Sequence, residues 1–566
     1  MAWKPIGSTE ELEERGVITV RGKDRQIAVF WNGGNPQAVD NRCPHMGFPL
    51  DQGSVHDGIL TCHWHHARFA LKGGCTFDLF ADDVPTFSIR EMDGRIEVND
   101  APDAEPSADY YRARLRRGLE QGLGLVQAKS VIGLLKSGTP TLAILRELAD
   151  FGTENHEAWR DGMTLIALMA RLDPVFSERT RIHGLCWAGR QIAANCAGQP
   201  RRRERGPLDR ADEPLERILH WFRQFVLMRH RDGAERALLS ASLACGDDAD
   251  RQRVLASAIL QRVYLDSGHL YDFANKTLEL GCLLGADATD LWPGLLPLLV
   301  PEAVEGQGEE DQGAWRHPFD LITAVRSAEA ELRELHPGRE PVPEGLRDLL
   351  LGNDPQAILD SLVAALKDQA DPVLLGREIA MAAAWRLARF SPSNELGDWF
   401  DPVHTFTYAN AVVQSLRRAP ARELLPALLH GAMAVFQDRF LNVPPAAYPK
   451  VFRETSQTDQ PVYERILESL DRVPNPSEVV ALVAGWVREG ASPEEVVDCL
   501  SWAAIREDLD FHKLQVIEAA YQLSRDTSDI EDRALLLSGA ARYLAAHCPT
   551  PRARLQPVRT ALKLHR

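Results

Sequence analysis

The chain has 566 residues, 45% hydrophobic and 26% charged, an ordinary balance for a folded protein and enough length for several domains. A formal net charge of −17 argues against a nucleic-acid or anionic-membrane partner. No apolar run reaches the roughly 18 residues that a bilayer demands, and the first residues lack an export-signal core. The expectation is therefore a cytoplasmic protein without membrane contact.

Taken in order, residues 1–102 read as a small antiparallel β domain. Val17–Val20 and Ile27–Trp31 are β-branched and aromatic runs, and Asn32-Gly33-Gly34-Asn35 between Trp31 and Gln37 is a turn. Thr86–Glu91 and Arg95–Val98 flank Asp93-Gly94, a hairpin signal. Residues 103–109 are acidic and Pro-containing, which predicts a linker. From residue 110 to 566 apolar residues recur at helical period, as in 131–151, 163–172, 255–264, 359–366 and 424–440. Strand signals are few there, so the remainder is expected to be one large all-α domain, open to a reading as repeated helix pairs. Loops are expected at 198–214, 300–318, 337–356 and 441–449. The basic run Arg201–Arg205 is expected to be a solvated loop.

Two cysteines of nine stand at ligand spacing. The other seven read as buried or free thiols in a reducing compartment. Cys43-Pro-His45, sixteen residues, then Cys62-His-Trp-His65 gives two thiolates and two imidazoles. That set suits a [2Fe–2S] cluster with Cys43 and Cys62 on one iron and His45 and His65 on the other. Zinc accepts the same residue types, but zinc motifs rarely open with C-x-H. Roughly residues 1–100 resemble the Rieske ferredoxin family. The resemblance to high-potential members breaks at Phe48 and Trp64, where those carry a disulfide, and at Ala67 and Phe69, where they carry a Ser and a Tyr. Fewer hydrogen bonds to the cluster imply a midpoint in the lower part of the roughly −150 to +300 mV range. His63 and His66 are expected to be exposed loop residues.

A second constellation lies in the helical part. His183, His269 and His404 each open the pattern His, three residues, an aromatic, Ala, then Gly or Asn. On a helix the His and the aromatic share a face. One reading is a decayed structural repeat. The other has three helices aiming imidazoles at one point, as metal sites in bundles do. Lys276 sits seven residues after His269, and His512 shares overlapping helical faces with Gln515 and Glu518. His317 is a reserve, with His156 and His430 behind it. Trp187, Phe273 and Tyr408 are expected to line a dry pocket for a flat substrate.

The helical part also resembles the questin oxidase-like oxygenases, through the His269-to-Lys276 stretch and the His404-Thr-Phe-Thr-Tyr-Ala-Asn stretch. That resemblance implies a non-haem iron with His183, His269, His404 and His512 as imidazole ligands and Lys276 as a carboxylated lysine. Asp272 and Glu279 are alternative sources of negative charge. The D/E-x-x-H-x4-H helix of Rieske oxygenases is absent after residue 110, as are dinucleotide, P-loop and serine-hydrolase motifs. The expected function is an oxygenase passing electrons from the [2Fe–2S] cluster to a mononuclear iron. Electrons would come from an external ferredoxin or reductase, the substrate would be an aromatic or polyketide small molecule, and a homo-oligomer is compatible. The alternative is a non-catalytic Rieske electron-transfer protein on an α-helical interaction scaffold.

Overall fold

Strands form where the N-terminal sequence alternates or turns β-branched. The computed structural model describes residues 2–209, 213–285, 291–449, 460–472 and 475–564. Within them the strands are β1 (Trp3–Ser8), β2 (Val17–Arg21), β3 (Gln26–Asn32), β4 (Asn35–Asp40), β5 (Ser54–His56), β6 (Ile59–Thr61), β7 (Arg68–Ala70), β8 (Thr86–Phe87), β9 (Ile89–Met92) and β10 (Arg95–Asn99). They make three antiparallel sheets, ordered β1-β10-β9, β2-β3-β4-β8 and β5-β6-β7. The β3–β4 hairpin turns on Gly33 and Gly34, both at positive φ (57° and 88°), the conformation a tight two-residue hairpin demands. Two elements depart from the expected all-strand pattern, the 3-10 turn Leu50–Gln52 and a helix after β1. Thr9–Arg15 is a helix, because Ser8 Oγ accepts the Glu11 amide at 3.1 Å and Glu10 and Glu11 complement the first turn.

The expected boundary near residue 102 also moves. The first compact unit runs from the N-terminus to Pro140 and includes the chain from Leu555 onward. Its helices Ala108–Glu120 and Gly124–Lys136 bury charge that only the β domain can satisfy. Arg114, 4% exposed, donates to the carbonyls of Leu79 (3.0 Å) and Ala81 (2.7 Å) and to Asp82 Oδ1 (3.0 Å). Lys129, 2% exposed, pairs with Asp82 Oδ2 at 2.6 Å and donates to the Pro44 carbonyl at 3.0 Å. The last helix, Leu555–Leu564, offers the Leu564 carbonyl to Arg42 Nη2 at 2.7 Å.

Unit two, Thr141–Arg554, is helical, as its sequence period requires. The expected run 131–151 is two helices, Gly124–Lys136 and Thr141–Asn155, stopped between them by Gly138 (φ 82°) and Pro140. Residues 300–305, expected as loop, are a helix, Val300–Glu305. In the basic run, Arg201 and Arg203 are exposed as expected, but Arg202 and Arg205 turn inward onto buried Glu235, at 3.4 and 2.8 Å. Residues 210–212 of the expected 198–214 loop lie outside the described residues.

Asp82 is the shared counter-ion of two buried cations. Asp82→Ala strands both, and the expected loss is about 3–5 kcal/mol, read as a drop in the denaturant midpoint of the first unit.

Candidate functional site

Three histidines predicted from the sequence meet. His269 is the first residue of the helix His269–Leu283, His512 is the first residue of His512–Ser524, and His404 lies in the second turn of Phe400–Arg418. Their ligand nitrogens all lie within 4.8 Å of one another. His512 Nε2 stands 3.2 Å from both His269 Nε2 and His404 Nε2. Two nitrogens bound to one metal at about 2.1 Å, at angles of 90–110°, stand about 3.0–3.4 Å apart. The observed spacing fits.

The other ring nitrogens decide what faces the centre. His269 Nδ1 is 3.2 Å from the Asp266 carbonyl, and His512 Nδ1 is 2.9 Å from Asp510 Oδ1. A carbonyl and a carboxylate only accept, so both Nδ1 atoms carry the proton. Both Nε2 atoms then present bare lone pairs to each other at 3.2 Å, an arrangement that repels unless a cation lies between. A proton is a poor candidate on His269. Burial and the neighbouring His512 push its pKa down to about 4, and burial pushes His404 well below its ordinary value. The N-termini of two helices add partial positive charge that further disfavours imidazolium. A metal ion is what this donor set is suited to hold.

Local structure sets these orientations. Tyr264, Asp266 and Ser267 all have φ near +50° and Gly268 has φ +85°, a left-handed run immediately before His269. Each non-glycine residue held there costs roughly 1–2 kcal/mol, strain of the kind that collects at functional sites. Its product is the Asp266 carbonyl aimed at His269. Rings pack the outer faces: Phe511 stacks on His512 (4.0 Å between centroids), and Phe400 lies 5.1 Å from His512 and 5.8 Å from His404.

The helices that begin with His269 and His512 are joined rung by rung. Gln515 donates to Asp272, Lys276 Nζ pairs with Glu518 Oε2 at 2.6 Å, and Gln522 donates to Glu279 at 3.1 Å. Those rungs lie 3, 7 and 10 residues beyond His269 and 3, 6 and 10 beyond His512. The helices therefore run parallel and in step.

Lys276 thus has a different place from the one expected. Burial opposes its charge, but Glu279 (3.2 Å) and Glu518 outweigh it and raise its pKa. A carboxylated lysine would set a third anion against these carboxylates, so the residues present do not fit that modification. Glu279 is likewise committed to Lys276, while Asp272, pushed up to about 7 by burial, keeps Oδ1 without a partner.

His183 does not join the trio. Its Nδ1 lies 2.9 Å from the Arg179 carbonyl one turn back, and its ring edge meets Trp502 at 5.2 Å. Of the reserves, His430 is buried against Glu329 (2.7 Å) and His156 turns its Nδ1 to the Ala158 carbonyl (2.8 Å). The expected pocket rings are spent elsewhere. Phe273 packs on His269 and Trp159, Tyr408 is enclosed by Tyr264 and Tyr271, and Trp187 lies under the Arg554 guanidinium. The opening beside His404 is instead a cavity of about 490 Å³ walled by Tyr264 and Trp315. Asp510 was not singled out from the sequence, although an acid two residues before His512 was visible there.

The first unit holds the other constellation. Two loops share one turn: Gly47 N donates to Cys43 O (2.7 Å) and His66 N to Cys62 O (3.0 Å), with Gly47 and His66 both at positive φ. Cys43 and Cys62 are buried side by side, and the rings of His45 and His65 are 4.8 Å apart. His45 Nδ1 is buried with no partner. Two thiols below and two imidazoles above, one with an orphaned nitrogen, fit a [2Fe–2S] cluster. Ala67 and Phe69 are buried and bring no hydroxyl to it; His63, Trp64 and His66 are exposed. Lys129, on the Pro44 carbonyl between Cys43 and His45, places a cation behind the loop.

Comparison with known proteins agrees with that second set. The model of the Rieske [2Fe-2S] domain matches residues 2–88. The anthranilate 1,2-dioxygenase ferredoxin subunit of Burkholderia cepacia is 31% identical over 99 residues, 17% of this chain and 91% of the relative. The oxygenase component of chloroacetanilide N-alkylformylase from Rhizorhabdus wittichii is 33% identical over 97 residues, 16% of this chain and 28% of the relative. Oxidoreductase NdmD of Pseudomonas putida is 31% identical over 132 residues, 21% of this chain and 22% of the relative. The chain thus spans under a third of the length of these last two. Among solved structures, the ferredoxin of carbazole 1,9a-dioxygenase from Nocardioides aromaticivorans IC177 is 20% identical, with 17% of this chain and 97% of that chain covered and a TM-score of 0.17.

Two outcomes follow from this geometry. Lys129→Met removes a buried cation beside the cluster, and its midpoint falls by an amount on the order of tens of mV in protein-film voltammetry. Asp510→Asn loses the acceptor that fixes the His512 tautomer, and metal affinity at the histidine trio drops roughly 10–100-fold, measured by competition with a chelator.

Proposed function

Because the chain belongs to the Rieske [2Fe–2S] family through residues 2–88, we propose that it passes electrons from that cluster to a mononuclear non-haem iron at His269, His404 and His512, and so oxidises or cleaves an aromatic or polyketide small molecule with O₂. Cys43 and Cys62 would hold one iron of the cluster and His45 and His65 the other, with an external ferredoxin or reductase as the electron source. Iron bound at the trio would supply one-electron redox chemistry and activation of O₂.

The carrying observation is the pair of opposed lone pairs on His269 and His512, 3.2 Å apart, with both Nδ1 protons already committed. That donor set asks for a metal, and a cluster that moves one electron at a time asks for an acceptor. The protein's own groups do the rest. The Asp266 carbonyl and Asp510 hold two rings in the metal-binding tautomer. Phe400 and Phe511 shield the rings from water. The cavity beside His404 falls within the range of about 300–1,000 Å³ usual for small-molecule sites and gives a substrate an approach to the trio.

His269→Ala and His404→Ala test this reading. Each should lose a third, sulfide-independent iron and all substrate-dependent oxygen uptake while the EPR signal of the reduced cluster is kept. Wild-type protein with no metal beyond the two irons matched by sulfide would favour the electron-transfer scaffold instead.

A further inference from the structure

The cavity beside His404 has a charge of its own. Glu309, Asp401 and Asp438 line it, and neither Lys nor Arg is among its lining residues. Asp438 is 3% exposed; its Oδ1 accepts from Thr405 Oγ1 at 3.2 Å, and its Oδ2 has no partner. Glu309 is buried at 6% exposure, and neither it nor Asp401 has an ion pair among the described residues. A buried carboxyl with an unmatched oxygen is costly unless something else fills that valence. On the same wall Tyr264 and Trp315 are stacked, with centroids 5.5 Å apart and planes 23° apart, presenting aromatic surface to the space.

We propose that this cavity binds an organic ammonium ion, a protonated amine carried on a flat ring, as the substrate of the adjoining site. The cationic nitrogen lies among Asp438, Glu309 and Asp401. The ring lies along Tyr264 and Trp315, which also attract a cation through their faces. Without it, Asp401 repels both Glu309 and Asp438. Burial and Asp401 together push Glu309 up to about 7 and raise Asp438 well above the carboxylate range. The Arg386 charge acts in the opposite direction on Asp438 and only partly offsets this. A bare divalent ion is a worse match. Among the described residues only the histidine trio brings its donors within 4.8 Å of one another, and about 490 Å³ is far more room than an ion fills. The same three carboxyls, with neither Lys nor Arg beside them, disfavour an anionic ring compound.

The assignment of this ligand as substrate rests on the oxygenase reading; its binding does not. The test is calorimetric titration of the metal-loaded protein with three compounds sharing one ring system: 2-naphthylmethylamine, 2-naphthylmethanol and 2-naphthoate. The amine should bind about tenfold tighter than the alcohol or better, as a charge-assisted hydrogen bond warrants, and the carboxylate should not bind. Asp438→Asn and Glu309→Gln should each weaken the amine about tenfold with little change for the alcohol and an unchanged circular dichroism spectrum. Equal binding of amine and alcohol, preference for the carboxylate, displacement of the amine by manganese, or no binding at all would overturn it. The His269→Ala variant separates the two ideas. Amine binding by wild-type protein that holds no third iron sinks the oxygenase reading and leaves this site standing, and amine binding that persists in His269→Ala after its iron is lost shows that the two sites are independent. Iron present with no amine bound does the reverse.

Discussion

Two lone pairs held face to face are the constraint on which the helical unit turns. Left alone, His269 and His512 would rotate or take up a proton. They are prevented from doing so by acceptors on their far sides, one a backbone carbonyl and one a carboxylate. The carbonyl is in place because the chain runs left-handed through residues 266–268. The carboxylate is in place because Asp510 lies two residues before a helix start and also accepts the His512 amide. Both features store free energy that folding elsewhere must offset. The polar rungs between the two helices answer the remaining question of how two helix starts remain level. Burying Lys276 among carboxylates is weak support for stability, since desolvation offsets much of the attraction. Its geometric effect is stronger, because a slip of one turn would leave a buried charge unpaired.

The first unit shows the same logic on a smaller scale. Its sheets bury ordinary aliphatic cores, yet the helices beyond residue 102 are tied to it by charge. Asp82 holds Arg114 and Lys129 at once, and Lys129 ends on the loop that carries Cys43 and His45. An ammonium at that position favours the more negative, reduced state of a cluster, whereas the apolar Ala67 and Phe69 disfavour it relative to hydroxyl-bearing loops. The low midpoint read from the loops alone therefore omits one opposing contribution.

What could be read from the sequence divides along the range of the interactions. The four residues of the cluster loops stand close together and their spacing carries the chemistry, so they were legible. His269 and His404 were legible because a short pattern repeats around them, and His512 because Gln515 and Glu518 share its side of a helix. That pattern misled at His183, where the same residues serve packing against Trp502 and a carbonyl on its own helix. Lys276 was expected as a carboxylated lysine beside the histidines, and that its partners are Glu279 and Glu518 depends in part on a helix 242 residues away. The helix Thr9–Arg15 was a plain miss, since Ser8 followed by Glu10 and Glu11 is a helix-start signal in any reading. Arg114 and Lys129 could not be found, because an isolated cation in an amphipathic helix reads as solvated until the carboxylate it meets is known.

The last helix has a bearing on how the molecule is made. Leu555–Leu564 belongs to the same compact unit as the cluster loops, and its Leu564 side chain sits 3.4 Å from where a side-chain carbon on Gly47 would lie. The whole of residues 141–554 leaves the ribosome between the loops and this cover. Until Leu555–Leu564 has been made, the chain therefore presents Cys43 and His45 on a loop that still lacks one wall, and the assembly of iron and sulfide there has an open side that closes only once that helix is in place.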